Sequence, residues 1–375
     1  MGIFSFKSSL KSIGLDIGTN TIRAAQLSYS KGTPTLTNYG KIQVPRGAVN
    51  DGEIFEPEVV ANSLTELWKK MHLSEKRVVV GVANQKVVVR LIELPFIEKE
   101  ELRGAIQFQA QEFIPIPIEE AILDFEIVGD FVNENEEHMV EVLLVAAQKD
   151  MIGKNIEALE KAGLKPIAID VSSFAITRTL TLGSSPSLLT EEVKDNVTAF
   201  IQIGAGITNI VIAENGVARF TRVSTLAGND FTQSIIDAQG LPFDEAEDLK
   251  INVGLAPTKG RKLAGIPKKY RDKATNVQEV LEGVGTKFVS EIRRSFDYYL
   301  SQASVKEIKK IILIGSGAML KNLDSFMNEN LQADVSLGCP LEKIKIGPGL
   351  SEEEIREDEM SMAICLGLAL REFKQ

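Results

Sequence analysis

The residues of this 375-residue chain with a spacing that suggests chemistry sit in three glycine-rich turns. The first, Asp16-Ile17-Gly18-Thr19-Asn20, follows an apolar run. The second, Gln202-Ile203-Gly204-Ala205-Gly206, leads through Thr208 and Asn209 into another apolar run. Backbone N–H groups at a tight glycine turn can point inward and hold phosphate oxygens, because no Cβ blocks the approach. One such turn is weak evidence, since hairpins use glycine routinely. Here GLDIGTNTIRAAQL (14–27) aligns without a gap on FIQIGAGITNIVIA (200–213), placing Asp16 on Gln202 and Gly18 on Gly204. Two such hairpins facing each other across a cleft would clamp a polyphosphate from both sides. The third turn, Gly315-Ser316-Gly317, opens a helix and could approach the α-phosphate or the purine. Gln202 stands where a phosphate-handling enzyme would want a carboxylate.

Other chemistries fail on their own terms. No GxxxxGK[ST] occurs, which excludes a P-loop. The run GSGAML (315–320) lacks the third glycine of the dinucleotide fingerprint and does not open the first βαβ unit. His72 and His138 are the two histidines, without the neighbours a zinc site or a Ser-His-Asp triad needs. Cys339 and Cys365, the two cysteines, suggest a reducing cytoplasm and no disulfide framework. The net charge of −10 disfavours a broad nucleic-acid surface. No apolar run approaches the roughly 20 residues of a membrane-spanning helix. The first ten residues are too short and polar for a signal peptide, and Phe6 breaks the myristoylation pattern. They read as a flexible leader.

The elements that must position the turns follow from periodicity. Ile13–Asp16 and Ile22–Leu27 form a hairpin that opens a first lobe. Val60, Leu64, Leu67 and Met71 predict an amphipathic helix over 57–71, with Pro57 near its start. The β-branched runs 78–82 and 87–94 are strands. Leu102, Ile106, Gln109 and Phe113 mark a helix that IPIP (114–117) breaks. Strands over 121–131 and 139–147 flank the acidic stretch NENEEH, and Ile152, Ile156 and Leu159 mark a helix closed by Gly163. Strand, helix, strand, strand, helix reads as an inserted subdomain. Residues 165–171 return as a strand, and Ser172 or Ser173 caps the next helix. A polar connector (183–196) precedes the second hairpin. Two lobes opening on the same strand–turn–strand theme imply duplication. Helices are predicted over 243–251 and 277–302, a basic loop over 257–273, a buried strand, turn and helix start over 310–323, and an apolar helix over 359–373.

LDIGTNTIR, QIGAGITNI, EAEDLK, LIGSGAML and AICLGLALR together resemble the actin/Hsp70/sugar-kinase nucleotide-binding fold. That resemblance implies an α/β, two-lobed, duplicated ribonuclease-H-like architecture. FQAQEFIPIPIEEAILDFEIVGD and VLLVAAQKDMI resemble the PilM family of type IV pilus assembly, which shares an inserted 1C-type subdomain with the FtsA cell-division proteins. The implied boundaries are 1–83 for the first-lobe core, 84–165 for the insert and 166–197 for the return to lobe I. Residues 198–350 form lobe II with a 2B-type insert at 236–300, and 351–375 a C-terminal helix returning to lobe I.

The resemblance also implies roles. Asp16, Gly18, Thr19 and Asn20 form the first phosphate turn of an ATP (or ADP) site; Gly204, Gly206, Thr208 and Asn209 form the second. Asp16 holds Mg²⁺ through water, which suits an ion that keeps most of its hydration shell. Glu247 with Lys250, and Glu291 with Arg294, flank adenine and ribose, although each pair also reads as a surface i,i+3 ion pair. Gly315, Ser316, Gly317 and Ala318 form the adenosine turn. Hydrolytic members carry an acid where Gln202 stands. A Gln can position water through its carbonyl. It cannot keep a proton, and a missing base commonly costs about 10²–10⁴ in rate. Slow or negligible hydrolysis follows.

For partners, the resemblance implies the cytoplasmic N-terminal peptide of PilN, other proteins of the inner-membrane platform with its assembly motor, and a homo-oligomer. It implies a cytoplasmic protein held at the inner membrane by those partners. Ile114, Pro115, Ile116, Pro117, Ile118, Leu123 and Phe125 could line the peptide groove; alternatively they fill the insert's own core. Two other readings compete. A phosphotransferase of this fold needs a carboxylate base, for which Asp170 is a candidate. An FtsA-type filament protein needs a basic amphipathic tail, and the sequence stops at LALREFKQ. The basic loop residues Lys259, Arg261, Lys262, Lys268, Lys269, Arg271 and Lys273 could meet an acidic partner, a membrane surface or a neighbouring subunit.

Overall fold

The structure, a computed structural model, describes residues 10–30, 32–97, 99–182, 197–258, 265–303 and 305–373. The first lobe begins with β1 (Leu10–Ile17), β2 (Thr21–Ser30), β3 (Thr33–Gln43), the short pair β4 (Val49–Asn50) and β5 (Glu53–Ile54), α1 (Pro57–Lys70) and β6 (Arg77–Val82). The insert comprises β7 (Val87–Pro95), α2 (Lys99–Phe113), β8 (Ala121–Val132) and β9 (His138–Gln148). It is followed by α3 (Lys149–Lys161), β10 (Lys165–Val171) and α4 (Ser172–Leu180). The second lobe runs through β11 (Val197–Ile203), β12 (Thr208–Glu214), β13 (Val217–Ser224), α5 (Gly228–Gln239), α6 (Phe243–Val253), α7 (Arg271–Leu300), β14 (Lys310–Ile314), α8 (Leu323–Leu331) and β15 (Asp334–Leu337). The chain closes with β16 (Lys345–Ile346), α9 (Glu352–Asp358) and α10 (Ala363–Leu370).

Duplication is written into the sheet order. One sheet runs β10-β6-β1-β2-β3-β16 and the other β13-β12-β11-β14-β15. In each, an antiparallel meander continues through its first strand into two parallel strands. The register repeats as well: Asp16 lies opposite Arg23, and Gln202 opposite Asn209.

Two helices lie between the sheets and form the spine of the molecule. All eight residues of α10 are buried. Its Ala363, Ile364 and Leu368 join Ala175 and Ile176 of α4, Val79 of the first sheet and Phe200, Val211 and Ile314 of the second in one core. Close approach needs glycine. A Cβ on Gly14 would lie 2.0 Å from the Cys365 carbonyl oxygen, and one on Gly367 would lie 1.9 Å from that of Ala175. On the second lobe, α7 carries Val277, Leu281, Val284, Phe288, Ile292 and Phe296 along one buried stripe, the three-to-four spacing of an amphipathic helix.

The insert is a three-stranded antiparallel sheet in the order β7-β9-β8. The α2 residues Leu102, Ile106 and Ala110 pack on one face against Val140, Val142 and Leu144. Its other face meets Val171 and Phe174 of lobe I.

Six expectations change. Helix α3, expected within the 84–165 insert, packs Ala158 and Leu159 into the lobe I core, and β16, expected within lobe II (198–350), pairs with β3 of lobe I. Helix α7 starts at Arg271, so Lys268 and Lys269 lie in a 3₁₀ turn and Arg271 and Lys273 in the helix; Lys259, Arg261 and Lys262 lie outside the described residues, as do the leader 1–9 and the connector 183–196. The apolar helix over 359–373 breaks at Met362, because the Met360 carbonyl turns to accept the Gly315 N–H at 2.7 Å. Helix α4 takes Val171 as its N-cap residue and has no side-chain cap. Helix α5, unmarked by the sequence reading, begins at Gly228, where the Asp230 carboxylate accepts the Ala227 N–H at 2.8 Å.

Candidate functional site: a glycine-lined cleft between the lobes

The first two glycine turns have the same construction. Gly18 N–H donates to the Thr21 carbonyl at 3.1 Å, and Gly204 N–H to the Ile207 carbonyl at 2.9 Å. The turns face each other and touch: a Cβ on Gly206 would fall 2.4 Å from Thr19 Oγ1. The third turn packs behind the second. Gly315 adopts φ +90°, and its Cβ would lie 2.3 Å from the Ile203 carbonyl. Such a conformation and such an approach both demand glycine. Together they line a cleft of ≈ 780 Å³ between the lobes.

Thirteen of the sequence-derived site residues line that cleft: Asp16, Gly18, Thr19, Asn20, Gln202, Gly204, Gly206, Asn209, Glu247, Lys250, Gly315, Ser316 and Gly317. Four do not. Thr208 is buried, and its hydroxyl donates to the Leu226 carbonyl at 2.8 Å. Ala318 packs into the second-lobe core beneath the third turn. Glu291 and Arg294 lie elsewhere: α7 turns its apolar stripe to the sheet, and Glu291 reaches Arg222 of β13 at 3.0 Å. Glu291 also pairs with Arg294, as the surface-ion-pair reading expects.

The two hairpins differ at one cross-strand pair. In the first, burial pushes the Asp16 carboxyl up to about 6, while Arg23 opposite pulls it down. Burial, with the Asp16 charge nearby, raises the Cys365 thiol. Arg23 lines the cleft, and its buried Nε–H has no hydrogen-bond partner among the described residues. In the second hairpin the matching pair is two amides. Asn209 Nδ2 donates to Gln202 Oε1 at 2.7 Å. One acceptor position of the Gln202 carbonyl is therefore used within the protein, in a side chain that lines the cleft. Asp170 is likewise engaged, by Arg178 at 3.0 Å and Arg371 at 3.5 Å, and is not placed to act as a base in the cleft.

Glu247 and Lys250 do not form a simple surface pair. Lys250 Nζ reaches Glu247 at 2.7 Å, Thr232 Oγ1 at 2.9 Å and the Gly228 carbonyl at 3.1 Å. This ties α6 to the start of α5 and holds both side chains at the cleft. Exposed Ile251 and Met319 add apolar surface to the same wall.

Arg23 and Asn229 are site residues the sequence reading missed. Arg23 could have been found from the repeat, which places it on Asn209. Asn229 has a weaker signal: Gly-Asn-Asp at 228–230, followed by Phe231, Ile235 and Ile236 at helical spacing. The N–H groups of Gly228 and Asn229 donate to the carbonyls of Gly204 and Ala205 at 3.0 and 2.7 Å, so this helix start clamps the second turn.

The peptide groove expected around IPIP is not formed by those residues. Ile114 and Ile116 are 5% and 9% exposed, within the insert's own core. Ile118, Leu123 and Phe125 pack partly against that core, and Pro115 and Pro117 face solvent. Alternation explains this: Leu123 and Phe125 pair with Ala146 and Leu144 on the α2 side of the sheet.

The cleft fits a phosphate-bearing ligand through the paired turns and the unpartnered Arg23 N–H. It offers a cation one well-placed carboxylate. Among the described residues no group of three His, Cys, Asp or Glu could hold a metal, so Mg²⁺ here would take its remaining ligands from water and phosphate. Among the same residues no helix is long and apolar enough to cross a membrane.

Comparisons with known proteins agree with this architecture. The family described as "Type IV pilus assembly protein PilM" matches residues 14–373. The cell division protein FtsA of Escherichia coli (strain K12) is 28% identical over 214 residues, 53% of this chain and 49% of that protein. The chain thus spans about half the length of the Escherichia coli relatives it matches. FtsA of Neisseria meningitidis serogroup B is 24% identical over 349 residues, 87% of this chain and 77% of the relative. A solved PilM-PilN type IV pilus biogenesis complex is similar over 98% of this chain and 100% of its own, with a TM-score of 0.81 and 26% identity. The ethanolamine utilization protein EutJ of Carboxydothermus hydrogenoformans, at 14% identity, 96% and 89% coverage and a TM-score of 0.53, is similar in fold alone. With an actin-like duplicated fold, a glycine-lined cleft and a family match over nearly its whole length, the chain belongs to the PilM family of type IV pilus assembly proteins.

Proposed function

We propose that this chain is a nucleotide-binding scaffold of the type IV pilus assembly platform. It holds ATP or ADP with Mg²⁺ in the interlobe cleft and an N-terminal peptide of a PilN-type partner on its insert. The carrying observation is the contact of two like-built glycine turns over one cleft, with the Arg23 N–H unpartnered beside them. Asp16 orients Mg²⁺ through water, and the ion supplies positive charge against the phosphates. Glu247 and Lys250 face the base and ribose. The Gln202–Asn209 pair leaves that turn without a proton acceptor, so the ligand acts as a structural clamp or slow switch. A phosphotransferase would need a carboxylate that Asp170, held by two arginines, does not supply.

The peptide is proposed to lie on the second face of the inserted sheet. There Leu91, Val128, Val145 and Phe174 are only half-buried around Val89, Leu143 and Val171. Ile122, on the same face of β8, is exposed. An extended peptide on such a face would keep the scaffold at the inner membrane through its partner.

Calorimetric titration with ATP·Mg²⁺ tests the cleft: the wild type binds, and Asp16→Ala binds at least about tenfold more weakly, as expected when a charged group near the ligand is lost. Equal affinity removes the role of Asp16. For the insert, Ile122→Asp should weaken capture of the PilN N-terminal peptide while leaving ATP affinity intact; unchanged capture moves the peptide elsewhere.

A further inference from the structure

Outside the spine of α4 and α10, and beside the packing of Thr19 on Gly206, two polar side-chain contacts among the described residues join the lobes across the cleft. At the turns, Asn20 Nδ2 donates to Asn229 Oδ1 at 3.1 Å, and Asn229 Nδ2 returns a bond to Asn20 Oδ1 at 3.4 Å. The second contact belongs to Arg46, beyond β3. Its guanidinium lies 3.7 Å over the Phe243 ring and reaches Asp244 at 2.9 Å, both residues opening α6. All five side chains line the cleft.

Each lobe ties its two contact points together. In lobe I, the Val44 N–H donates to the Asn20 carbonyl at 3.0 Å, linking the first turn to the segment that carries Arg46. In lobe II, Lys250 of α6 donates to the Gly228 carbonyl at 3.1 Å, linking Phe243 and Asp244 to the residue before Asn229. Parting one contact therefore loads the other.

We infer that Asn20–Asn229 and Arg46–Phe243/Asp244 form a two-point latch that sets how fast a phosphate-bearing ligand enters and leaves the cleft. The inference rests on the nucleotide reading of that cleft. Its physical basis is the contrast with the spine. Opening the spine would expose the apolar core that α10 shares with both sheets, so the lobes must swing about it and part at these polar contacts. The amide pair is self-satisfying: each amide donates and accepts, and both bonds break together. The Arg46 contacts are solvent-facing, with side chains 62% and 93% exposed at Arg46 and Asp244. Exposed ion pairs and cation–π contacts are individually weak, which suits a gate that must release. Glu247 and Lys250 ride on the helix that Arg46 grips, so closure and base contact move together.

Stopped-flow mixing with a fluorescent ATP analogue and Mg²⁺ tests the latch in the full chain. For Arg46→Ala and Asp244→Ala, association and dissociation should both quicken, by about tenfold, with Kd changed by no more than roughly threefold. A faster dissociation alone would mark a plain ligand contact, and unchanged rates would mark no gate; either overturns the proposal. If the analogue fails to bind the wild type, the nucleotide reading fails, and the latch is then read by hydrogen exchange of the protein alone. Both variants should exchange faster across residues 18–21 and 204–208, and wild-type exchange there would contradict it.

Discussion

At the residue scale the chemistry of the cleft turns on two matched positions, Asp16 and Gln202. Asp16 has its carboxyl raised by burial from 3.8 to about 6, so ionising it in the folded protein is unfavourable. A carboxyl that binds its proton more tightly when folded stabilises the fold at low pH. That stability is lost as pH rises between the unfolded value and about 6. Asp16→Asn should therefore raise the melting temperature at pH 7 in the absence of nucleotide. Because the cleft admits water, the gain is on the order of 1 kcal/mol, a few degrees. The gain should shrink at pH 4, where the wild-type carboxyl is protonated; a variant less stable than wild type at pH 7 contradicts the assignment. Nucleotide affinity should fall in parallel, and wild-type Mg²⁺-dependent binding should weaken as pH drops through 6. Gln202→Asp should restore a proton acceptor and speed ATP hydrolysis. An unchanged rate would mean that Gln202 is not what limits turnover.

The same two positions show what the chain displays openly. Gly18 and Gly204 recur at the same offset in two copies of one pattern, so those turns, with Asp16 and Gly206 beside them, could be read directly. Arg23 and Asn229 could not, because their roles arise from pairing across strands and lobes that no short motif records. Thr208 misled because it follows a glycine turn yet points into the sheet.

At the element scale, alternation and helical spacing located the hairpins, α1, the insert and α3, and placed residues 277–300 within α7. Other features escaped because long-range contacts decide them. The break before α10 is set by a carbonyl given to the third turn, and which face of the inserted sheet α2 leaves uncovered is set by which strands pair. Gly14→Ala probes the spine. Its Cβ would meet the α10 backbone at 2.0 Å, where no flexible side chain can yield. Overpacking of this kind costs about 1–3 kcal/mol or more, read from the denaturant midpoint. A variant as stable as wild type would mean that α10 can shift freely.

The insert meets lobe II where β7 runs beside β13, and an ion pair from β9 adds to that contact. At the β-bulge between Ile127 and Gly129, the Glu141 carboxylate lies over Gly129, where a Cβ would stand 2.6 Å away. From there Glu141 meets Arg219 of β13 at 2.7 Å. This half-buried ion pair links the insert to the second lobe. Glu141→Gln should therefore weaken the influence of ATP on peptide capture, measured as the ratio of peptide affinities with and without nucleotide. A ratio equal to that of wild type would show that the two sites communicate by another route.

At the scale of the whole molecule, the fold was legible because it is said twice: the alignment of 14–27 on 200–213 foretells the repeated sheet order and the repeated register. The relation between the halves was less legible, since the spine, the latch and the insert's bridge all join residues far apart in sequence. Both turns should grip one polyphosphate. A crystal structure with Mg²⁺ and a non-hydrolysable ATP analogue tests it most directly. Phosphate oxygens should lie within hydrogen-bond reach of backbone N–H groups from both the 18–20 and the 204–206 turns. Phosphates bound by one turn alone, or a nucleotide lying outside this cleft, would contradict it.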